Sequence, residues 1–201
     1  MEIKPILSKL KYLDKSLQFT LNLFWRFVRI IYSSDFGDKK KVLIISIHKI
    51  GDSIFTIPAI KEIVNSYDSE QVFLLVYLET KIIFKDLLKE ENIITLDKKE
   101  LLFENRFATR RARRIINEIN PEILIDLTGS VSSASLIFKS RAKKIIGMNE
   151  KYFKRIYSDF TEIRKQPHLI ERYCDVAEMF LKKKVDKNSF TYINNYQNDG
   201  M

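Results

Sequence analysis

Cysteine is almost absent: Cys174 is the only one among 201 residues. No disulfide framework can form within one chain, and a reducing compartment is the natural reading. With only two histidines beside it, a structural zinc site lacks ligands. Long apolar runs are missing too. No stretch reaches the roughly 18 uninterrupted apolar residues of a spanning helix. The best candidate, residues 17–31, is broken by Arg26 and Arg29. It leads into Tyr32-Ser33-Ser34-Asp35 rather than a small-x-small cleavage site, which argues against a removable signal peptide. No G-x-G-x-x-G follows the first apolar run and no G-x-x-x-x-G-K-[ST] occurs anywhere, so hydride-transfer enzymes and P-loop NTPases are disfavoured. Blocks of like charge, internal repeats and low-complexity tracts are absent as well.

What is present is a chain able to build a core. Hydrophobic residues make up 45% and charged residues 30%, a balance typical of folded domains. The formal net charge is +9, from 35 basic and 26 acidic residues. Such a surface favours anionic partners: nucleic acid, anionic lipid, or a phosphorylated or carboxylated substrate.

Residues 1–35 read as an amphipathic helix. Lys15, Gln18, Asn22, Arg26 and Arg29 recur at three- and four-residue steps and form a polar stripe. A wide apolar face, rich in Phe and Trp, surrounds it. Two readings stand: a helix lying in a membrane interface, or one packed on the following domain or a partner. Asp35-Phe36-Gly37-Asp38 looks like a linker. Beyond it, apolar runs predict buried strands at residues 42–47, 72–76, 93–96, 123–127 and 144–147. Helices are predicted near 52–67, 81–89, 101–119, 132–139 and 168–182. Pro58 implies a helix that kinks or starts later than residue 52. Alternating strands and helices argue for an α/β, Rossmann-like, open and mostly parallel sheet with right-handed crossovers. Sites in such sheets form at the carboxyl ends of strands, so the residues after positions 47 and 127 carry the interest.

His48-Lys49-Ile50-Gly51-Asp52-Ser53 follows the first strand. Gly51 permits a tight turn and a close backbone approach. Asp52 is either the N-cap of the next helix or a carboxylate free to accept a proton at the mouth of a cleft. Asp126-Leu127-Thr128-Gly129-Ser130 ends the fourth strand; its small and hydroxylated residues suit a polar pocket or a turn and helix cap equally. Arg106, Arg110, Arg111, Arg113 and Arg114 form a basic run that is a solvated surface or an anion clamp. Without interleaved aromatics or a nucleic-acid-binding signature, nucleic acid is not expected as partner. His168 reads as a cap or surface residue, and Cys174 as core.

Taken together these segments resemble glycosyltransferase family 9, the heptosyltransferases of lipopolysaccharide core assembly. The resemblance begins at Lys41-Val42-Leu43-Ile44-Ile45 and runs through Ile50-Gly51-Asp52-Ser53-Ile54-Phe55-Thr56-Ile57-Pro58-Ala59-Ile60. It continues at residues 71–76 and through Pro121-Glu122-Ile123-Leu124-Ile125-Asp126-Leu127-Thr128-Gly129-Ser130. Ile145-Ile146-Gly147 and His168-Leu169-Ile170-Glu171-Arg172-Tyr173 complete it, over roughly residues 40–182.

The resemblance implies the N-terminal, acceptor-binding half of a GT-B fold, in which two Rossmann-like domains face a cleft. It implies inverting transfer from a nucleotide-activated sugar, typically ADP-heptose, with Asp52 as catalytic base and no cofactor or metal. The expected acceptor is an anionic glycolipid or saccharide of lipopolysaccharide core or a related surface glycan. We take Gly51, Ser53, Thr128, Gly129, Ser130, Arg110 and Arg113 as candidate substrate-binding residues. The expected organisation is a basic helical segment at 1–35, an acceptor-side domain at 40–190 and a tail at 191–201. The resemblance implies a second domain of similar size carrying the donor-nucleotide site; without it the chain is expected to be a fragment, a truncated product or one half of a split enzyme with a second-half subunit, and not to catalyse transfer alone. The expected location is cytoplasmic, peripheral on the inner face of the membrane. The alternative function is a non-catalytic module binding an anionic glycolipid or a partner protein.

Overall fold

Strand β1, Val42–Ser46, is buried along its whole length and forms the middle of the protein. Its run of aliphatic residues suits a strand covered on both faces. The computed structural model describes residues 3–32, 41–98, 106–150, 152–162 and 168–188. The linker at 35–38, the expected helix start at 101–105, the Arg106 side chain and the tail at 191–201 lie outside the described residues.

The other strands are β2 (Val72–Tyr77), β3 (Ile93–Leu96), β4 (Ile123–Asp126), β5 (Lys144–Gly147) and β6 (Asp159–Phe160). The helices are α1 (Ile3–Tyr32), α2 (Ile50–Asn65), α3 (Lys81–Phe84), α4 (Arg106–Ile119), α5 (Val131–Ile137) and α6 (Leu169–Leu181). The strands form one sheet in the order β3-β2-β1-β4-β5-β6, every pair parallel. The architecture is therefore the expected α/β, Rossmann-like open sheet. The chain builds outward from β1 to β3, then returns to place β4 on the other side of β1. That reversal opens a crevice between the carboxyl ends of β1 and β4, where ligands of such sheets bind.

Successive residues of a strand point to opposite faces, and two cores result. Val42 and Ile44 join Ile60, Ile63, Leu74, Ile125 and Cys174 on the face covered by α2 and α6. Leu43 and Ile45 join Leu75, Ala112, Ile116, Leu124 and Leu136 on the face covered by α4 and α5. Cys174 is buried and free, as core.

Helix α2 begins at Ile50 and continues past Pro58, so the late start suggested by that proline does not occur. Helix α4 ends where Asn120 takes a left-handed conformation (φ 51°) ahead of Pro121, a conformation Asn tolerates better than most residues. The strand β6 was not expected. It has two residues and pairs only through Ile146↔Asp159 and Gly147↔Phe160, too few for any periodicity.

Helix α1 packs on the domain through Asn22 and Arg29 of its polar stripe together with Trp25 and Val28, while Lys15 and Arg26 stay exposed. The guanidinium of Arg29 is buried and donates to the carbonyls of Ser140 (2.7 Å) and Ala142 (2.6 Å). Burial lowers its pKa to about 10. Asn22 Oδ1 accepts the Arg155 N–H (3.2 Å), and the Tyr152 hydroxyl donates to Asp14 (2.7 Å). Trp25 stands edge-on to Phe138 with ring centroids 5.3 Å apart. The helix is docked on the domain, as the second of the two readings expected, and its apolar face points outward. No described helix is long and apolar enough to cross a membrane.

Candidate functional site

The two loops at the β1–β4 crevice are tied to each other. Beyond β1, the Ile47 N–H donates to the Thr128 hydroxyl (2.9 Å), and the Leu127 N–H donates to the Ile45 carbonyl (2.9 Å). Gly51, Asp52 and Ser53 in the first turn of α2 and Thr128, Gly129 and Ser130 on the loop after β4 thus gather at one end of the sheet.

Asp52 lies in the first turn of α2, at its third residue. The N-cap is Lys49, with extended backbone and no side-chain cap bond. Asp52 is therefore not the cap. Its side chain is half-buried and makes no hydrogen bond or ion pair with a described residue. Its charge acts on two buried neighbours. Asp52 raises the pKa of Tyr173, which burial chiefly holds up at about 12. It also works against the burial that lowers His48 to about 4.

His48 is 9% exposed and its ring lies 5.0 Å from that of Tyr173. Its Nε2 is buried with no hydrogen-bond partner. Desolvation penalises the charged imidazolium, so the ring is neutral at pH 7. A neutral ring at that position does not offset the charge of Asp52 as a cation would.

The remaining site residues divide by what holds them. A Cβ built on Gly51 meets nothing within 4 Å. The glycine therefore answers no local turn or packing demand, contrary to the close approach expected from sequence; it leaves open the surface beside Asp52. Ser53 is buried, and its hydroxyl faces the His48 carbonyl at 3.4 Å. Gly129 has φ +57°, and a Cβ there would stand 2.9 Å from the Met148 sulfur, so glycine is required on both counts. Ser130 caps α5 by accepting the Ser133 N–H (3.2 Å), while Ser133 accepts the Ser130 N–H (3.1 Å), a reciprocal capping box. Here the turn-and-cap reading of the hydroxyls describes their bonds.

The loop is held from beneath by Asp126, fully buried. It accepts the N–H groups of Thr128 (2.9 Å) and Gly129 (3.1 Å) and the hydroxyls of Ser133 (2.8 Å) and Tyr157 (2.8 Å). Burial pushes its pKa up, and these four bonds pull it back. Tyr157 reaches it only because Gly147 has no side chain: a Cβ there would lie 2.4 Å from the tyrosine ring. Sequence reasoning missed Tyr157, Tyr173 and the bonding of Asp126. The signal that could have exposed the last is an acidic residue closing an otherwise apolar strand.

Arg113 is engaged elsewhere. Its Nε donates to the Ser135 carbonyl (2.8 Å) and its guanidinium lies 4.8 Å over Phe138, joining α4 to α5. Arg110 is exposed on the same helix and depresses the Arg113 pKa after burial has done so. His168 caps α6, its Nδ1 accepting the Ile170 N–H (3.3 Å). Among the described residues, no group of three His, Cys, Asp or Glu could hold a metal ion.

No family model and no curated protein matches the sequence. Solved structures do match the fold. The Escherichia coli heptosyltransferase WaaC with ADP-2-deoxy-2-fluoro heptose aligns with TM-score 0.58 and 19% identity, over 77% of this chain and 54% of that one. A glycosyltransferase family 9 structure from Veillonella parvula aligns with TM-score 0.55 and 20% identity, over 73% and 43%. The E. coli ADP-heptose lipopolysaccharide heptosyltransferase II aligns with TM-score 0.53 and 18% identity, over 68% and 40%. This chain thus spans about half the length of the structures it resembles, and over that span it has the Rossmann-like fold of family 9 heptosyltransferases.

Proposed function

We propose that this chain is the acceptor-side half of an inverting glycosyltransferase, with Asp52 as the base. The observation that carries the reading is the Asp52 carboxylate. It sits at the β1–β4 crevice with no hydrogen bond from a described residue, beside an open surface at Gly51 and within electrostatic reach of a neutral His48. In the proposed reaction, Asp52 takes the proton of an acceptor hydroxyl as that oxygen attacks the anomeric carbon of a nucleotide sugar. The bond from that carbon to the nucleoside diphosphate breaks, the diphosphate leaves with the electron pair, and the configuration inverts. Gly51 and the 128–130 loop line the acceptor's approach, and Arg110 adds positive charge for an anionic acceptor.

The neighbours' bound ADP and ADP-heptose analogue suggest a nucleotide-heptose donor. The donor site belongs, on this reading, to a second domain on the same or a separate polypeptide. The acceptor is an anionic glycolipid or saccharide of a surface glycan such as lipopolysaccharide core. We further read α1 as an interfacial helix that keeps the chain on the inner face of the cytoplasmic membrane.

The test is sugar transfer from ADP-heptose to glycolipid acceptors by the chain, with and without a donor domain supplied separately. Asp52→Asn should reduce turnover at least a hundredfold, on the scale of general-base catalysis, with the circular dichroism spectrum unchanged. Wild-type turnover in that variant would place the base elsewhere.

A further inference from the structure

The outward face of α1 carries nine large apolar or aromatic side chains between Tyr12 and Ile31, each at least 51% exposed. At 100° per residue, only Ser16 and Thr20 interrupt that face. The Thr20 hydroxyl already donates to the Ser16 carbonyl (3.0 Å), so it can enter an apolar medium without losing a partner. Patches of this extent mark interaction surfaces rather than ordinary exposure.

A second observation indicates what covers it. Between α1 and Asn149, Lys154 and Arg155 runs a groove of about 500 Å³, lined on the helix by Lys15, Phe19, Leu23 and Arg26 among others. A second groove of about 340 Å³ shares Arg26 and Arg155 and adds Lys143 and Ser158. Neither lining contains a carboxylate. The nearby acids are engaged elsewhere: Asp14 by Gln18 and Tyr152, Glu150 by Arg172, and Asp159 by Lys144. Lys15 and Arg26 lie along the border between the docked and the apolar faces. Cations bordering an apolar face match the order of chemistry in an anionic bilayer, where phosphates lie just above the acyl chains.

We propose that α1 lies in the interface of an anionic phospholipid bilayer, with a lipid phosphate held in the groove by Lys15, Arg26, Lys154 and Arg155. This rests on the interfacial reading of α1 given above and adds a headgroup site to it; it is independent of whether the chain transfers sugar.

The experiment is flotation of the full chain with vesicles of phosphatidylcholine alone and with one third phosphatidylglycerol. Wild type should partition onto the anionic vesicles and only weakly onto the neutral ones. The Arg26→Gln, Lys154→Gln, Arg155→Gln triple variant should lose on the order of a hundredfold in partition, from roughly fivefold per cation near a charged surface. Arg26→Lys with Arg155→Lys should retain most of the binding, which separates charge loss from misfolding. Phe19→Ser with Phe27→Ser should abolish binding to both vesicle types. Equal binding of wild type to neutral and anionic vesicles, or wild-type partition by the triple variant, overturns the headgroup site while leaving the interfacial helix standing. Displacement by inorganic phosphate at the lipid phosphate concentration would assign the groove to a soluble anion and also overturn the proposal. No partition onto either vesicle removes the interfacial helix itself. None of these outcomes bears on Asp52.

Discussion

His48 makes a pH-dependent contribution to stability that can be measured directly. In the folded chain its pKa falls from 6.5 to about 4, because burial disfavours the imidazolium more than Asp52 and a backbone hydrogen bond to Leu127 favour it. Between those two values the unfolded chain holds a proton that the folded chain does not, so stability rises with pH across the window. The neutral ring's contribution is fully present above 6.5 and is lost as pH falls towards 4. A shift of that size corresponds to about 3 kcal/mol, a sizeable share of the roughly 5–15 kcal/mol that stabilises most domains.

The assay is urea unfolding of wild type and His48→Gln at pH values from 4 to 8. Carboxylates titrate in both proteins, so the difference between the two isolates the histidine. That difference should shift against wild type by about 3 kcal/mol between pH 7 and pH 4. The chain has two histidines, so NMR titration of their ring protons gives an independent check. In Asp52→Asn the His48 pKa should fall further, since Asp52 is the largest influence raising it. A His48 titrating near 6.5, or a difference flat with pH, would refute the picture of a neutral ring beneath the carboxylate.

Other expectations follow from single contacts. Tyr157→Phe removes one of four donors to the buried Asp126 and should cost about 1–3 kcal/mol, read as a lower urea midpoint; an unchanged midpoint would show that the bond contributes nothing. Arg29→Met leaves the carbonyls of Ser140 and Ala142 without their donor. Amide exchange across residues 12–32 should then quicken well before that of β1, and equal protection would mean that α1 is held by other contacts.

The strands were legible in the sequence because a parallel strand covered on both faces must be apolar throughout, and such runs are visible without a partner. The β1–β4 crevice could be anticipated for the same reason: strand-helix alternation leaves few topologies, and the carboxyl ends are where their loops gather. Asp52 was singled out by its place after β1, but whether it capped α2 depended on Lys49 taking the cap and on no donor among the described residues reaching it. Tertiary structure alone decided three things. It buried His48 and so made it neutral, it brought Tyr157 under Asp126 through the space left by Gly147, and it turned Asn22 and Arg29 of the polar stripe of α1 inward. An amphipathic pattern shows that a helix has two faces; which one meets the protein is set by Arg29 finding two bare carbonyls more than a hundred residues away.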